Sequence, residues 1–245
     1  MFDLSDKVVL ITGAGQNVGS GIARILAKHG ATIIASDVNK KKADRVCEAV
    51  FRAGGIGIST AFDITDHDAV TTSLREVTEK TGDIDILINN AGTVGPQELS
   101  AMTSFSSIRE DHWSKVIEVN LSGFLNCCQA VLGPMSSKQW GRIITVASSL
   151  TGFETGGSLY AAGKSGAIGF VGQLAKETFT SGITCNAISL EWKQQQVSGH
   201  VPYLNDRSPV PRIGTPDDVG YLSLYLSTEA ASWISGRTIP LEIVY

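Results

Sequence analysis

Short apolar runs rich in β-branched residues alternate with amphipathic segments along most of the 245-residue chain. The apolar runs predict β-strands at Val8–Thr12, Thr32–Ser36, Ile56–Ala61, Ile84–Ile88, Arg142–Ala147, Thr184–Ile188 and Thr238–Ile243. The segments between them predict helices at Ser20–His29, Lys40–Ala53, Asp66–Thr81, His112–Leu132, Leu159–Thr180 and Asp217–Leu226. Gly30 is expected to end the first helix, and Thr65 is expected to cap the third.

Alternation of strands and helices predicts an α/β fold with a parallel, doubly wound sheet and right-handed crossovers. Several strands are apolar almost throughout, as expected when helices cover both faces of the sheet. No linker divides the chain, so residues 1–245 are expected to form a single domain. The irregular segments 93–111 and 191–216 are expected to form substrate-side loops, because ligands bind beyond the carboxyl ends of such strands.

The glycine-rich stretch TGAGQNVGSG, residues 12–21, follows the first predicted strand and opens the first helix. Backbone amides at a helix N-terminus favour a pyrophosphate. The second strand ends at Asp37, close to the position where an acid binds the adenine ribose hydroxyls. A carboxylate there repels a 2′-phosphate, which favours NAD(H) over NADP(H). The lysines at 40–42 are the one feature that points the other way.

Tyr160 and Lys164 lie four residues apart on a predicted helix and therefore share one face. A free phenol has a pKa of about 10, and a nearby ammonium favours the phenolate. This spacing predicts that Lys164 lowers the pKa of Tyr160. Tyr160 would then exchange a proton with a carbonyl or alcohol oxygen near neutral pH.

Four motifs in this order resemble the short-chain dehydrogenase/reductase family: the glycine loop at 12–19, NNAG at 89–92, Asn120 in VNLSG, and YAAGK at 160–164. The resemblance runs from about residue 5 to 240. It implies a Rossmann fold and hydride transfer between a nicotinamide dinucleotide and a secondary alcohol or ketone. It also implies that the three glycine positions of the family's GxxxGxG motif are occupied here by Gly13, Asn17 and Gly19. In this register Gly15 and Gly21 are extra glycines that lie outside the motif. Asn17 replaces a glycine, so we predict a left-handed or glycine-like backbone there.

The resemblance further implies roles for individual residues. The implied catalytic set is Asn120, Ser148, Tyr160 and Lys164. The implied cofactor contacts are Gly13, Gln16, Asn17, Val18, Gly19, Asp37, Asp63, Ile64, Asn90, Ala91 and Gly92, together with Tyr160 and Lys164. Strand register favours Ser148 as the serine beside the substrate oxygen, whereas counting back from Gly152 favours Ser149. Asn120 is expected to bind a water that links Lys164 to solvent.

Two segments depart from the family pattern. Leu190-Glu191 stand where a Pro-Gly turn is usual, and no threonine follows; the C-terminal GRTIPLEIVY also lacks the usual Asp-Gly-Gly turn. Two alternatives to the alcohol dehydrogenase or carbonyl reductase therefore stay open: an NADPH-dependent 3-oxoacyl-type ketoreductase, and a catalytically impaired cofactor-binding sensor or scaffold. Met102, Phe105 and Ile108 could line the substrate pocket or cover a subunit surface.

The amino-acid composition limits the classes of partner that the chain is expected to bind. A formal net charge of −4 argues against nucleic acid, because no basic excess is available to neutralise phosphates. No secretory signal and no apolar run of about 18 residues is visible, so neither export nor membrane insertion is expected. Cys47, Cys127, Cys128 and Cys185 lack metal-binding spacing and are expected to be reduced core thiols of a cytoplasmic protein with no metal site. By the resemblance, helices 112–132 and 159–180 would pair subunits into a homotetramer.

Overall fold

The computed structural model describes residues 2–95, 103–148, 157–190 and 214–241. The strands are β1 (Val8–Thr12), β2 (Thr32–Ser36), β3 (Ile56–Thr60), β4 (Ile86–Asn89), β5 (Gly141–Ser148), β6 (Ile183–Leu190) and β7 (Thr238–Leu241). The helices are α1 (Asn17–Lys28), α2 (Lys40–Arg52), α3 (His67–Thr81), α4 (Glu110–Ile117), α5 (Gly123–Lys138), α6 (Ser158–Glu177) and α7 (Pro216–Ser227). A π-helical turn, Glu118–Ser122, joins α4 to α5.

All paired strands run parallel, in the order β3-β2-β1-β4-β5-β6-β7. The chain adds β2 and β3 on one side of β1 and the later strands on the other. Strand order therefore reverses between β1 and β4, the point at which doubly wound sheets bind their ligands. The predicted α/β fold is confirmed.

The sheet has an apolar layer on each face because successive strand residues point to opposite sides. In β1, Val9 and Ile11 belong to the core beneath α1, α2 and α7, whereas Val8 and Leu10 belong to the core beneath α3, α5 and α6. Burial on both sides explains why the strands read as continuous apolar runs.

The bounds of every predicted helix differ from the structure by at least one residue, and the helix predicted at His112–Leu132 extends over Glu110–Lys138 as α4, the π-helical turn and α5. Asp66, not Thr65, caps α3, since its side chain accepts a hydrogen bond from the Ala69 amide at 2.9 Å. The first helix begins at Asn17 rather than Ser20, because the second half of the glycine loop already forms helical turns. The end of the last predicted strand, at residues 242 and 243, lies outside the described residues.

Helices α1 and α7 pack closely through glycine. A Cβ at Gly21 would lie 2.4 Å from Pro216 Cβ, and one at Gly220 would lie 2.7 Å from Ile25 Cγ1. An Arg24–Asp217 ion pair, with Nη1 and Oδ2 2.7 Å apart, joins the same helices. Gly21, which lies outside the motif register, therefore allows the close contact between α1 and α7.

The continuous helical segment Glu110–Lys138 is 29 residues long, and by length and composition alone it could cross a membrane. Buried core helices have the same length and composition, and Phe124, Cys127 and Val131 of this segment lie in the core beneath the sheet. All four cysteines are free and buried, as predicted. Burial raises the pKa of Cys127 to about 12 and of Cys185 to about 11. The described residues contain no group of three or more His, Cys, Asp or Glu side chains suited to a metal ion.

Candidate active site

A cavity of about 800 Å³ opens at the carboxyl ends of the strands, above the reversal in strand order. Its lining contains most of the predicted site residues: Gly13, Gln16, Asn17, Val18, Asp37, Asp63, Ile64, Asn90, Ala91, Gly92, Ser148, Tyr160 and Lys164. Gly19 and Asn120 are buried and lie outside this lining. One cavity therefore contains both the predicted dinucleotide-binding residues and most of the predicted catalytic residues.

The glycine loop has the backbone that its residues require. Gly13 has a φ of 60°, and a Cβ on it would lie 2.8 Å from Ala91 Cα, so only glycine fits. Asn17 has a φ of 44°, which confirms the predicted left-handed backbone. Gln16 is the N-cap of α1 and makes no side-chain capping bond, and the first turn of α1 contains no acidic residue. An anion at this helix start would meet backbone donors, and no carboxylate of the first turn of α1 competes with it.

Thr12 and Asn90 brace the loop against β4. The Asn90 side-chain amide donates to the carbonyl oxygens of Thr12 at 3.0 Å and Gly13 at 2.9 Å. The backbone amides of Asn90 and Ala91 donate to Thr12 Oγ1 at 3.1 Å and 3.2 Å. Thr12 was not predicted as a site residue, although a threonine at the end of an apolar strand is a signal that could have found it.

Asp37 is held by backbone amides on both carboxylate oxygens. Oδ2 accepts from Gly15 N at 3.1 Å, and Oδ1 accepts from Asn39 N at 2.9 Å. A Cβ on Gly15 would lie 2.5 Å from Asp37 Oδ2 and 2.5 Å from Lys42 Cβ. Gly15, which lies outside the motif register, therefore leaves room for Asp37 and Lys42.

Asp63 and Ile64 form one wall of the cavity, and hydrogen bonds hold both residues in place. Asp63 Oδ1 accepts from the amide and hydroxyl of Thr65 at 2.9 Å and 2.8 Å. The Ile64 carbonyl accepts from Asn126 Nδ2 of α5 at 2.9 Å. Asn126 supports this wall through a contact distant in sequence, and no local pattern indicated it.

Ser148, Tyr160 and Lys164 meet at the other end of the cavity. Ser148 and Tyr160 share a side-chain hydrogen bond, and Ser148 Oγ also lies 3.4 Å from the Leu190 carbonyl oxygen. Lys164 Nζ donates to the Val146 carbonyl at 3.1 Å and lies 5.7 Å from the centroid of the Tyr160 ring. Three protonatable side chains therefore converge where β5 ends and α6 begins.

The pKa of Tyr160 shifts in the direction opposite to the prediction. Burial raises it, and the hydrogen bond with Ser148 opposes that rise. Burial also lowers the pKa of Lys164 to about 8. The predicted lowering of the Tyr160 pKa by Lys164 is wrong for this arrangement, because burial disfavours the phenolate and the opposing contribution comes from the hydrogen bond with Ser148.

Asn120 is anchored by three hydrogen bonds. Its Nδ2 donates to the carbonyls of Thr93 at 2.6 Å and Val116 at 2.9 Å, and its Oδ1 accepts from the Thr93 amide at 3.3 Å. It lies in the π-helical turn, a distortion often found at functional sites. A Cβ on Gly92 would lie 2.9 Å from Asn120 Oδ1 and 3.0 Å from Lys164 Nζ, so Gly92 lets both groups approach the cavity. Water binding by Asn120 stays a prediction.

The remaining lining residues were not among the predicted site residues, although Thr93 and Val94 belong to the predicted substrate-side loop 93–111. They are Ser36, Val38, Lys42, Phe62, Thr93, Val94, Lys115, Val119, Val146, Ala147 and Leu190. Many flank a predicted residue at a strand end, so the strand pattern could have indicated them. Lys115 and Val119 come from helix packing and had no such signal. Ser149, loop residues 96–102 and segment 191–213 lie outside the described residues.

The chain is similar to known proteins in both sequence and fold. A family model described as short chain dehydrogenase matches residues 7–192. The 3-oxoacyl-[acyl-carrier-protein] reductase FabG of Thermotoga maritima is 32% identical over 98% of this chain and 97% of its own length. The Vibrio cholerae protein of the same name is 31% identical over 97% and 96%.

Two similar solved structures bear different names. A 3-oxoacyl-[acyl-carrier protein] reductase with bound NAD from Brucella melitensis has a TM-score of 0.86 and 28% identity, covering 98% of this chain and 91% of the other. A hydroxysteroid dehydrogenase from Escherichia coli has a TM-score of 0.84 and 28% identity, covering 98% and 97%. The similarity extends over nearly the full length of each pair.

Proposed function

Since this chain belongs to the short-chain dehydrogenase/reductase family and is an oxidoreductase, we propose that it transfers a hydride between NAD(H) and a secondary alcohol or ketone. The observation that carries this proposal is the convergence of Ser148, Tyr160 and Lys164 at one end of a cavity that holds Asp37 at the other. The cofactor preference, the substrate and the residue roles below are part of the proposal.

The residues present fit a dinucleotide. The cavity volume of about 800 Å³ lies within the usual range of about 300–1,000 Å³ for ligand sites. The amides around Gln16 would bind the pyrophosphate, and Asp37 would accept hydrogen bonds from ribose hydroxyls through the lone pairs left on its oxygens. Asp63 and Ile64 would flank the adenine, and Lys164 would bind the nicotinamide ribose. When bound, the nicotinamide supplies or accepts the hydride.

Tyr160 would act as the general acid in reduction and as the general base in oxidation. In reduction its hydroxyl gives a proton to the carbonyl oxygen while hydride reaches the carbonyl carbon, so the C=O π bond is replaced by one C–H and one O–H bond. Ser148 would hold the same oxygen, and the Lys164 ammonium would stabilise the phenolate that forms. The Tyr160 phenol, whose pKa burial raises above the usual value of about 10, is protonated near neutral pH, which is the state that proton donation in the reductive direction requires.

The first test is a titration followed by turnover assays. Quenching or enhancement of NADH fluorescence should show binding, and NADH should be oxidised in the presence of at least one member of a ketone panel. Binding without turnover on any ketone would favour the cofactor-binding sensor or scaffold. A protein that binds neither NADH nor NADPH would contradict the proposal.

A second candidate is a 3-oxoacyl-type ketoreductase. It is favoured by the relatives of that name, which match nearly the whole chain at 31–32% identity. Asp37 disfavours the NADPH-dependent form of this activity. The ketone panel should therefore include a 3-oxoacyl thioester, and a kcat/KM well above that of small ketones would select this candidate.

We further propose a cytoplasmic homotetramer. The support is the family resemblance and the open space beside Gly169 and Gly172 on α6, where an added Cβ would meet no atom within 4 Å among the residues described. These positions leave room for a helix of another subunit.

Asp37→Ala should weaken NADH binding by roughly 10- to 100-fold, because two hydrogen bonds from ribose to a charged acceptor are lost. NADPH binding should change less, since the same substitution removes repulsion from the 2′-phosphate. Fluorescence titration with both cofactors measures this. Asp68→Ala on α3 is the control, and Asp37→Asn isolates the charge. Greater weakening of NADPH than of NADH would overturn the cofactor preference.

A further inference from the structure

The turn between β3 and α3 contains Asp63 and Ile64, which form one wall of the cavity. β3 ends at Thr60, so the hydrogen-bond ladder of the sheet does not fix this turn. Asp63 Oδ1 accepts hydrogen bonds from Thr65 at 2.9 Å and 2.8 Å, and the Asp63 carbonyl accepts one from the Asp66 amide at 3.2 Å. Because these partners are neighbours in sequence, the bonds set the shape of the turn but not its position in the cavity.

Asn126 of α5 connects this turn to the rest of the protein. Its Nδ2 donates to the Ile64 carbonyl at 2.9 Å and lies 3.4 Å from the Thr65 carbonyl oxygen. A side-chain amide nitrogen carries two hydrogens, so one Nδ2 can serve both acceptors. Within the described ranges, these are the hydrogen bonds that join residues 63–65 to any residue beyond 66.

The same face of the helix also packs against Ile64. A Cβ on Gly123 would lie 2.5 Å from Ile64 Cγ1 and 3.1 Å from the Ile64 carbonyl carbon, so no side chain separates the helix from Ile64 at this point. Val119, four residues earlier, lines the cavity together with Ile64. Val119, Gly123 and Asn126 are spaced by four and three residues and therefore share one face of the continuous helix. Helix packing thus fixes the Ile64 side chain, and Asn126 fixes its carbonyl.

We propose that Asn126 is a positioning residue for cofactor binding, because it holds the Ile64 and Thr65 carbonyls and thereby sets where the Asp63–Ile64 wall stands against the adenosine half of NAD(H). The proposal rests on the function proposed above. Asn126 lies outside the cavity lining, so it acts through the wall and not by contact with the cofactor. The proton chemistry at the opposite end of the cavity should be unaffected, since Tyr160 belongs to another helix.

The test compares Asn126→Ala and Asn126→Asp with Gln129→Ala, which shortens an exposed amide side chain on the same helix. Asn126→Asp keeps the size of the side chain but replaces the donor with an acceptor that faces two carbonyls. The dissociation constant of NADH is measured by fluorescence titration. That of ADP-ribose, which contains the adenosine half without the nicotinamide, is measured by displacement of NADH.

Both dissociation constants should rise by on the order of tenfold in the two Asn126 variants, because the hydrogen bonds that hold the wall are lost. Gln129→Ala should leave both within roughly threefold of the native values. At saturating NADH, kcat of the Asn126 variants should stay within roughly threefold of native and keep the native pH profile, while KM for NADH rises. A general loss of stability would not produce this split between KM and kcat.

Three results would overturn the proposal while the proposed function stands. Native NADH affinity in Asn126→Asp would mean that the amide donor does not hold the wall. Variants that unfold at lower temperature but bind NADH normally would make Asn126 a structural residue. A fall of about tenfold in kcat at saturating NADH would place its effect on the chemistry and not on cofactor binding. Native protein that binds neither NADH nor NADPH would instead contradict the proposed function itself.

Discussion

Replacing Tyr160 by Phe should lower turnover by roughly 10²- to 10⁴-fold, the range that a positioned general acid supplies. The substitution removes only the hydroxyl that shares a hydrogen bond with Ser148. The ring that Lys164 faces at 5.7 Å is retained, so the local packing should persist. NADH binding should change by less than roughly threefold, since we assign the cofactor contacts mainly to other residues. Steady-state rates and fluorescence titration measure the two effects separately.

Tyr221→Phe on α7 is the matched control. This tyrosine is 56% exposed and lies outside the cavity lining, so its variant should retain native turnover. If Tyr160→Phe keeps turnover within roughly threefold of native, another group protonates the substrate oxygen and the proposed role of Tyr160 is wrong. If both NADH binding and turnover are lost, the residue serves the cofactor site rather than the proton.

The elements predicted best are those whose signal is local. β1 and β2 match the predicted bounds because each is apolar on both faces, and their sequence shows this directly. The cap of α3 was assigned one residue early, since Thr65 and Asp66 are both capping residues and only the backbone decides between them. The left-handed Asn17 was predictable because few residues tolerate that conformation.

The errors concern properties set by distant contacts. The motif register assigned no role to Gly15 and Gly21, yet Asp37 and Pro216, which come later in the chain, would clash with a side chain there. The pKa of Tyr160 was expected to fall because of the adjacent lysine, but burial by the whole fold raises it. A short sequence window contains the charged neighbour and not the depth of burial, so the sign of such a shift requires the structure.

Lys164→Met should separate activity from stability. Turnover should fall by roughly 10²-fold or more, because no ammonium remains to stabilise the Tyr160 phenolate. The fold should become more stable at pH 7, since Lys164 is buried and its pKa is lowered from 10.5 to about 8. That shift corresponds to a cost of about 3 kcal/mol for holding the charged form in the folded state. Urea unfolding of the native and variant proteins, without added cofactor, measures the difference.

The pH dependence of the free energy of unfolding tests independently whether the buried Lys164 ammonium destabilises the fold. Below pH 8 both the folded and unfolded chains hold the proton, and the native protein bears the full cost of the buried ammonium. Between about pH 8 and the unfolded value of 10.5 the unfolded chain binds more protons at Lys164, so the contribution of Lys164 to native stability should rise with pH. The buried cysteines, whose pKa values are raised, act in the opposite direction in both proteins, so the rise is measured as the difference in stability between the native protein and Lys164→Met. Lys164→Met should lack this rise, whereas Lys176→Met, an exposed substitution on the same helix, should retain both the rise and native turnover. A Lys164→Met variant that is less stable at pH 7 would mean that the bond to the Val146 carbonyl outweighs the cost of burial. In that case Lys164 would be a structural anchor of β5, and its loss of turnover could no longer be attributed to the proton chemistry.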